Sequence, residues 1–146
     1  MRPAVLAVFI GLSSGAAAQS TPAGVWRTFS DRTGEADGVV RIVEVDGRYE
    51  ATVEAVLSPP APSANPLCEL CPGELRNKPV VGLKIMRDLR REGDEYVGEI
   101  LDPDDGNVYR CKARLIDGGR KLELRGYIGL PIFGRTQIWE RQRERP

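Results

Sequence analysis

Apolar and polar residues alternate with a period of two over most of this chain, and that period limits its fold more than any other feature. Tyr49, Ala51, Val53, Ala55 and Leu57 alternate with Arg48, Glu50, Thr52 and Glu54; further on, Tyr109, Cys111, Ala113 and Leu115 alternate with Arg110, Lys112 and Arg114. Each run reads as a strand with one buried face. Turn residues punctuate the runs at Asp46-Gly47, Glu92-Gly93-Asp94, Asp102-Pro103-Asp104-Asp105-Gly106 and Asp117-Gly118-Gly119. Glycine in such turns supplies the positive φ that a tight hairpin needs. The pattern predicts eight strands, near Gly24–Phe29, Gly38–Val45, Arg48–Leu57, Val81–Arg90, Glu95–Leu101, Asn107–Ile116, Lys121–Ile128 and Gly134–Arg141.

Eight antiparallel strands with no helical segment to cover a sheet leave two exposed edges unless the sheet closes on itself. The expected fold is therefore all-β, an eight-stranded antiparallel up-and-down barrel. Its interior is just wide enough to be packed with side chains or to hold one small ligand. A Greek-key sandwich competes, but it wants longer crossovers than these turns provide.

One connection is long. Ser58 to Pro79 runs 22 residues and holds Pro59, Pro60, Pro62, Pro66, Pro72 and Pro79. Proline removes ladder donors, so the stretch is no central strand, and a loop of this length is usually a lid, a binding loop or an insert. Cys68-Glu69-Leu70-Cys71 lies at its middle. The pair has four readings: a local Cys68–Cys71 disulfide, a redox pair, a structural zinc completed by Cys111 and a carboxylate, or a bond from Cys111 to one of the two. The local disulfide is the plain expectation for an exported protein, while the Pro-rich setting lacks the helix start of a redox site. Cys111 sits on the apolar parity of its run and reads as a small buried hydrophobe.

Residues 1–18 stand apart from this pattern. Met1-Arg2, the apolar run from Pro3 to Leu12 and the small residues ending in Ala16-Ala17-Ala18 form the n-region, h-region and A-x-A site of a secretory signal peptide. Cleavage after Ala18 leaves residues 19–146 as a single domain, exported to the periplasm or secreted. The apolar run is roughly half the length of a spanning helix, and no second run follows, so no membrane span is expected after cleavage.

Composition then removes function classes. The chain has 21 Lys+Arg, 21 Asp+Glu and no histidine. Ser-His-Asp and Cys-His nucleophiles and the commonest zinc sites need an imidazole, and nucleic-acid binding draws on a basic excess. No nucleic-acid partner, cofactor or metal is expected. Gly129 to Thr136 has the outline of a phosphate-binding loop, but a strand rather than a helix follows it. The glycine and closing-glutamate positions of an EF-hand are missing around Asp102–Gly106, which reads as an acidic turn with at most a weak surface cation site. No catalytic constellation is recognisable, and the chain is expected not to be an enzyme.

Gly24-Val25-Trp26 at the start of the first strand resembles the lipocalin and calycin barrels. That resemblance implies a tryptophan closing one barrel end against an arginine of the last strand, Arg135 or Arg141. A longer set covers nearly the whole mature chain: Gly24-Val25-Trp26, Cys68-x-x-Cys71, Pro79-Val80-Val81-Gly82-Leu83, Gly98-Glu99-Ile100-Leu101-Asp102-Pro103, Arg125-Gly126-Tyr127-Ile128-Gly129 and Gly134-Arg135-Thr136-Gln137-Ile138-Trp139. Together these resemble the exported bacterial family called domain of unknown function 2147. The resemblance implies a small exported protein with a lipocalin-like barrel and no established activity; Cys111 departs from the family pattern.

Two functions follow. In the first, the barrel holds a small apolar or amphipathic ligand, with Trp26, Arg125, Tyr127, Arg135, Gln137 and Trp139 as candidate ligand-binding residues. Strand parity leaves one choice open: either Arg125 and Tyr127 or Leu122, Leu124 and Gly126 line the interior. In the second, a filled barrel acts through its surface, with the 58–79 loop and its Leu67, Leu70 and Leu75 touching a protein partner whose identity is unknown. The interior volume discriminates between them.

Overall fold

The computed structural model describes residues 21–57 and 65–144. The leader at 1–18, its cleavage point and the 58–64 part of the long loop, with Pro59, Pro60 and Pro62, lie outside the described residues. Eight strands follow one another in chain order, each antiparallel to the next, and the last pairs with the first to close a barrel. They are β1 (Gly24–Phe29), β2 (Ala36–Val45), β3 (Arg48–Val56), β4 (Lys84–Glu92), β5 (Glu95–Leu101), β6 (Val108–Ile116), β7 (Lys121–Tyr127) and β8 (Arg135–Arg141). The expected strands are all present. β4 departs furthest, starting at Lys84 rather than Val81, because Gly82 takes φ +92° and the Leu83 N–H donates to the Val80 carbonyl, which turns the chain. Within β4 a bulge with Asp88 at φ 56° lets Met86 and Leu89, three positions apart, both face the core.

The connections alternate between two ends. Short turns at 46–47, 93–94 and 117–120 sit at one end, and the longer connections 30–35, 57–83, 102–107 and 128–134 sit at the other. The short-turn end is packed solid. Trp26, Ile42, Met86, Leu89 and Leu122 are all but fully buried there, and Tyr49 meets Tyr96 edge to face with ring centroids 5.5 Å apart.

Arg141 completes this end. Its guanidinium lies 4.3 Å from the centre of the Trp26 ring and donates to the carbonyls of Gly119 (2.8 Å), Ala23 (2.6 Å) and Thr21 (2.7 Å). The Trp26 indole donates in turn to the Pro22 carbonyl at 2.9 Å. Of the two arginines offered by the resemblance, Arg141 is therefore the partner, and Arg135 stands at the opposite end of β8. Burial pulls the Arg141 pKa down, yet an arginine stays charged in proteins. Gly24 suits this place because its φ of +140° is one that other residues rarely adopt, and a Cβ there would also press on the Arg141 guanidinium, 2.6 Å from Nη1.

At the other end, residues 65–83 fold into an ordered flap. The Cys68 N–H donates to the Lys78 carbonyl and the Val80 N–H to that of Pro66, both at 2.8 Å. Of the four cysteine readings the local one is formed: Cys68 and Cys71 are bonded and fully buried, and Cys111 is free and buried in β6. The flap rests on the 102–107 turn. There the Cys68 sulfur lies 3.6 Å from the Pro103 carbonyl oxygen, and a Cβ on Gly106 would fall 1.8 Å from the Leu70 carbonyl oxygen.

Two outcomes test these contacts. Trp26→Ala should lower stability by about 3–5 kcal/mol, the range for a buried large aromatic. Arg141→Met, which keeps an apolar stem but strands three carbonyls, should cost about 2–3 kcal/mol. Both are read from urea midpoints; an Arg141→Met loss no larger than that of Arg125→Met would contradict the closing role. Gly106→Ala should lift the flap and leave the barrel folded, so proteolysis and amide exchange across 65–80 should accelerate while the strands keep their protection.

Candidate functional site

Side-chain parity decides what the barrel encloses. Cys111 pairs with Gly126 and Ala113 with Leu124, and these residues share the inward face with Leu122. The open parity is thus resolved in favour of the leucines. Arg125 points outward, donating to the Pro131 carbonyl at 2.6 Å and to Thr136 Oγ1 at 2.9 Å, and so holds the 128–134 connection from outside. That connection contains a single 3-10 turn, Pro131–Phe133, and leads into β8, which disposes of the phosphate-loop outline.

The half of the barrel nearer the long connections is not filled. It contains a cavity of about 510 Å3 whose inner wall is apolar, formed by Val40, Val53, Ile85, Cys111, Leu124 and Trp139. Inward positions on several strands carry small side chains beside this space: Ala55, Cys111 and Gly126 border it, as does Gly38, where a Cβ would instead press within 2.9 Å of Thr28 Oγ1. A Cβ on Gly126 would rest in ordinary contact with the Tyr109 side chain, 3.6 Å from its Cβ, so this wall position accepts a larger residue without a clash at Cβ. Burial raises the Cys111 thiol pKa to about 12, so it is a neutral, weakly nucleophilic wall group.

The mouth is polar. The Trp139 indole donates to Gln137 Oε1 at 3.1 Å, and the Gln137 amide donates to Asp31 Oδ2 at 3.0 Å. Arg135 reaches the same Asp31 oxygen at 3.3 Å, also pairs with Asp102, and lies 5.5 Å from the Tyr109 ring centre. Asp31 belongs to the β1–β2 connection and Asp102 to the β5–β6 connection, so Arg135 spans the opening. Tyr109 donates to Asp105; that bond, with burial behind it, raises the phenol's pKa. Burial pushes the Asp105 carboxyl up, but the bonds from Tyr109 and the Asn107 N–H outweigh it and hold the carboxyl below its ordinary value. Asp104 is pushed up, first by desolvation and then by repulsion from Asp102 and Asp37.

Three of the six sequence candidates, Arg135, Gln137 and Trp139, border the cavity. The other three do not: Trp26 plugs the opposite end, Arg125 clamps a loop outside the wall, and Tyr127 shares the outward parity of Arg125 beneath Gly134. The sequence reading missed Asp31, Asp37, Asp104 and Tyr109, which reach the mouth from turns or a strand start. Small residues recurring on inward parity were the available signal for the hollow. Around Asp102–Gly106 the turn is closed by its own side chains, with the Asp104 N–H donating to Asp102 Oδ1 at 2.9 Å. Among the described residues no three acidic or cysteine side chains are grouped to hold a metal ion.

Comparisons with known proteins agree with this architecture. No curated protein is significantly similar to the chain. Among solved structures it is similar to protein HP1028 from the human pathogen Helicobacter pylori, which is described as belonging to the lipocalin family. The TM-score is 0.71 at 22% identity, over 84% of this chain and 83% of that one, a likeness of fold. A family model described as "Uncharacterized protein conserved in bacteria (DUF2147)" matches residues 24–141, from the first residue of β1 to the last of β8. The chain therefore belongs to the DUF2147 family of bacterial proteins and builds its lipocalin-like barrel from the matched residues.

Proposed function

We propose that this protein is an exported binding protein that holds one small apolar or amphipathic molecule in the open half of its barrel, without transforming it. The observation that carries the reading is the cavity of about 510 Å3, lined by apolar side chains within and by polar groups together with Pro66, Leu67 and Val80 of the flap toward the long connections, inside a barrel whose other half is tightly packed. Its volume falls within the roughly 300–1,000 Å3 of small-molecule sites, and its lining has their usual division between an apolar wall and a few orienting polar groups. Gln137 and Arg135 are the orienting groups and Trp139 is the aromatic wall. A role in binding rather than catalysis is supported by the lack of histidine and by mouth acids largely occupied in hydrogen bonds and ion pairs. Export is supported by the leader pattern and by a disulfide, a bond that persists in oxidising compartments.

The test is native mass spectrometry of protein purified from the periplasm of an exporting host, with solvent extraction of the same sample. The expected result is an added small-molecule mass lost on denaturation. Gly126→Leu, which adds bulk at an inward position bordering the hollow, should abolish that mass and weaken binding of an apolar fluorescent probe at least about tenfold, while circular dichroism shows the barrel still folded. Cys111 supplies a second readout. A small apolar alkylating reagent should modify it more slowly when the probe is bound. Equal probe affinity in wild type and Gly126→Leu, with Cys111 equally reactive in both states, would overturn the proposal.

A further inference from the structure

The charge around the mouth narrows the class of ligand. Asp31, Asp37, Asp102, Asp104 and Asp105 border the cavity, against Arg32 and Arg135. The guanidinium of Arg135 is already shared between Asp31 and Asp102. Asp105 is engaged by Tyr109 and Asp37 by Thr28. Asp104 has no side-chain hydrogen bond or ion pair among the described residues; its own N–H is spent on Asp102. The mouth therefore carries three more carboxylates than guanidiniums, and its one bridging cation is saturated.

A carboxylate-headed or phosphate-headed amphiphile entering here would meet net negative charge, with the exposed Arg32 as the one guanidinium at the rim outside the Arg135 bridge and five carboxylates around it. A protonated amine meets the reverse. It gains the surplus carboxylates, Asp104 foremost, which Arg32 and Arg135 face only through space and without a direct ion pair, and it leaves the Arg135 bridge in place.

We infer that the ligand of this cavity is a cationic amphiphile, with its apolar body against Val40, Val53, Ile85, Leu124 and Trp139 and its protonated amine at the mouth between Asp104 and Asp37. The inference rests on the binding role proposed above and adds the charge of the ligand's head group. Because Asp104 must be ionised to attract the amine and its pKa is raised, the preference is full at neutral pH and fades as pH falls through the carboxyl range, earlier than for an ordinary aspartate.

The experiment compares dodecylamine, dodecanol and dodecanoate as competitors of the neutral fluorophore N-phenylnaphthylamine. Each is used below its aggregation concentration, at pH 7 and about 0.1 M salt, where exposed charges are screened beyond about 10 Å. Dodecylamine should bind at least about tenfold tighter than dodecanol, and dodecanoate weaker than both. Asp104→Asn should cut the amine's advantage at least about threefold, and Asp37→Asn with Asp104→Asn should leave amine and alcohol nearly equal. Dodecanol affinity should stay unchanged in both variants, which shows that the cavity is intact. Equal binding of the three competitors, tightest binding of dodecanoate, or an amine preference untouched by the substitutions overturns this inference and leaves the cavity's binding role standing. If neither the fluorophore nor any competitor binds, the binding role falls and this inference falls with it.

Discussion

Only two residue pairs, Trp26 with Arg141 and Arg27 with Glu140, join the first strand to the last, whereas neighbouring seams such as β6 with β7 are paired along their full length. A barrel with one short seam opens there first. Arg141 reinforces that seam from several directions at once: its side chain bonds carbonyls that precede β1 and one in the β6–β7 turn, while it stacks on Trp26. The Gln142 N–H extends the seam by donating to the Val25 carbonyl at 2.8 Å. One charged side chain therefore reinforces the closure of the barrel where backbone pairing offers least.

Closure at that point lets the other half stay hollow. The large side chains Trp26, Met86, Leu89 and Leu122 and the Tyr49–Tyr96 pair are concentrated at the short-turn end, so the apolar burial that stabilises the fold is concentrated there too. Toward the long connections the inward positions shrink to Gly38, Ala55, Cys111 and Gly126. Hydrogen-bonded strands hold the wall apart even though side chains do not fill it. The fold thus separates the residues that hold it together from those that face the hollow, and the mouth can carry like charges without burdening the core.

The barrel was legible in the sequence because a two-residue period is read along one strand at a time and hairpin turns fix which strands are neighbours. β1 and β5 have the bounds that their alternation gives. β4 was misplaced because Gly82 breaks an extended-looking Val80-Val81-Gly82-Leu83 with a turn, and its bulge at Asp88 hides the parity. The site was half legible. Arg135, Gln137 and Trp139 follow from one strand's inward parity, but Arg125 and Tyr127 needed the register between β6 and β7, which no single strand contains. Asp31, Asp37, Asp102 and Asp104 converge only after the barrel closes, since the chain separates the first pair from the second by the length of several strands.

The plug at Trp26 makes the barrel a blind tube rather than a channel. Whatever occupies it goes in and comes out by the same end, so an elongated molecule inserts its greasy end first and withdraws its polar end first. On the binding role proposed above, the head group stays at this rim, the end that also carries the exposed Leu130, Ile132 and Phe133 of the β7–β8 connection. On that reading a loaded and an empty molecule differ at one end of the surface only, and anything that distinguishes the two states must read that end.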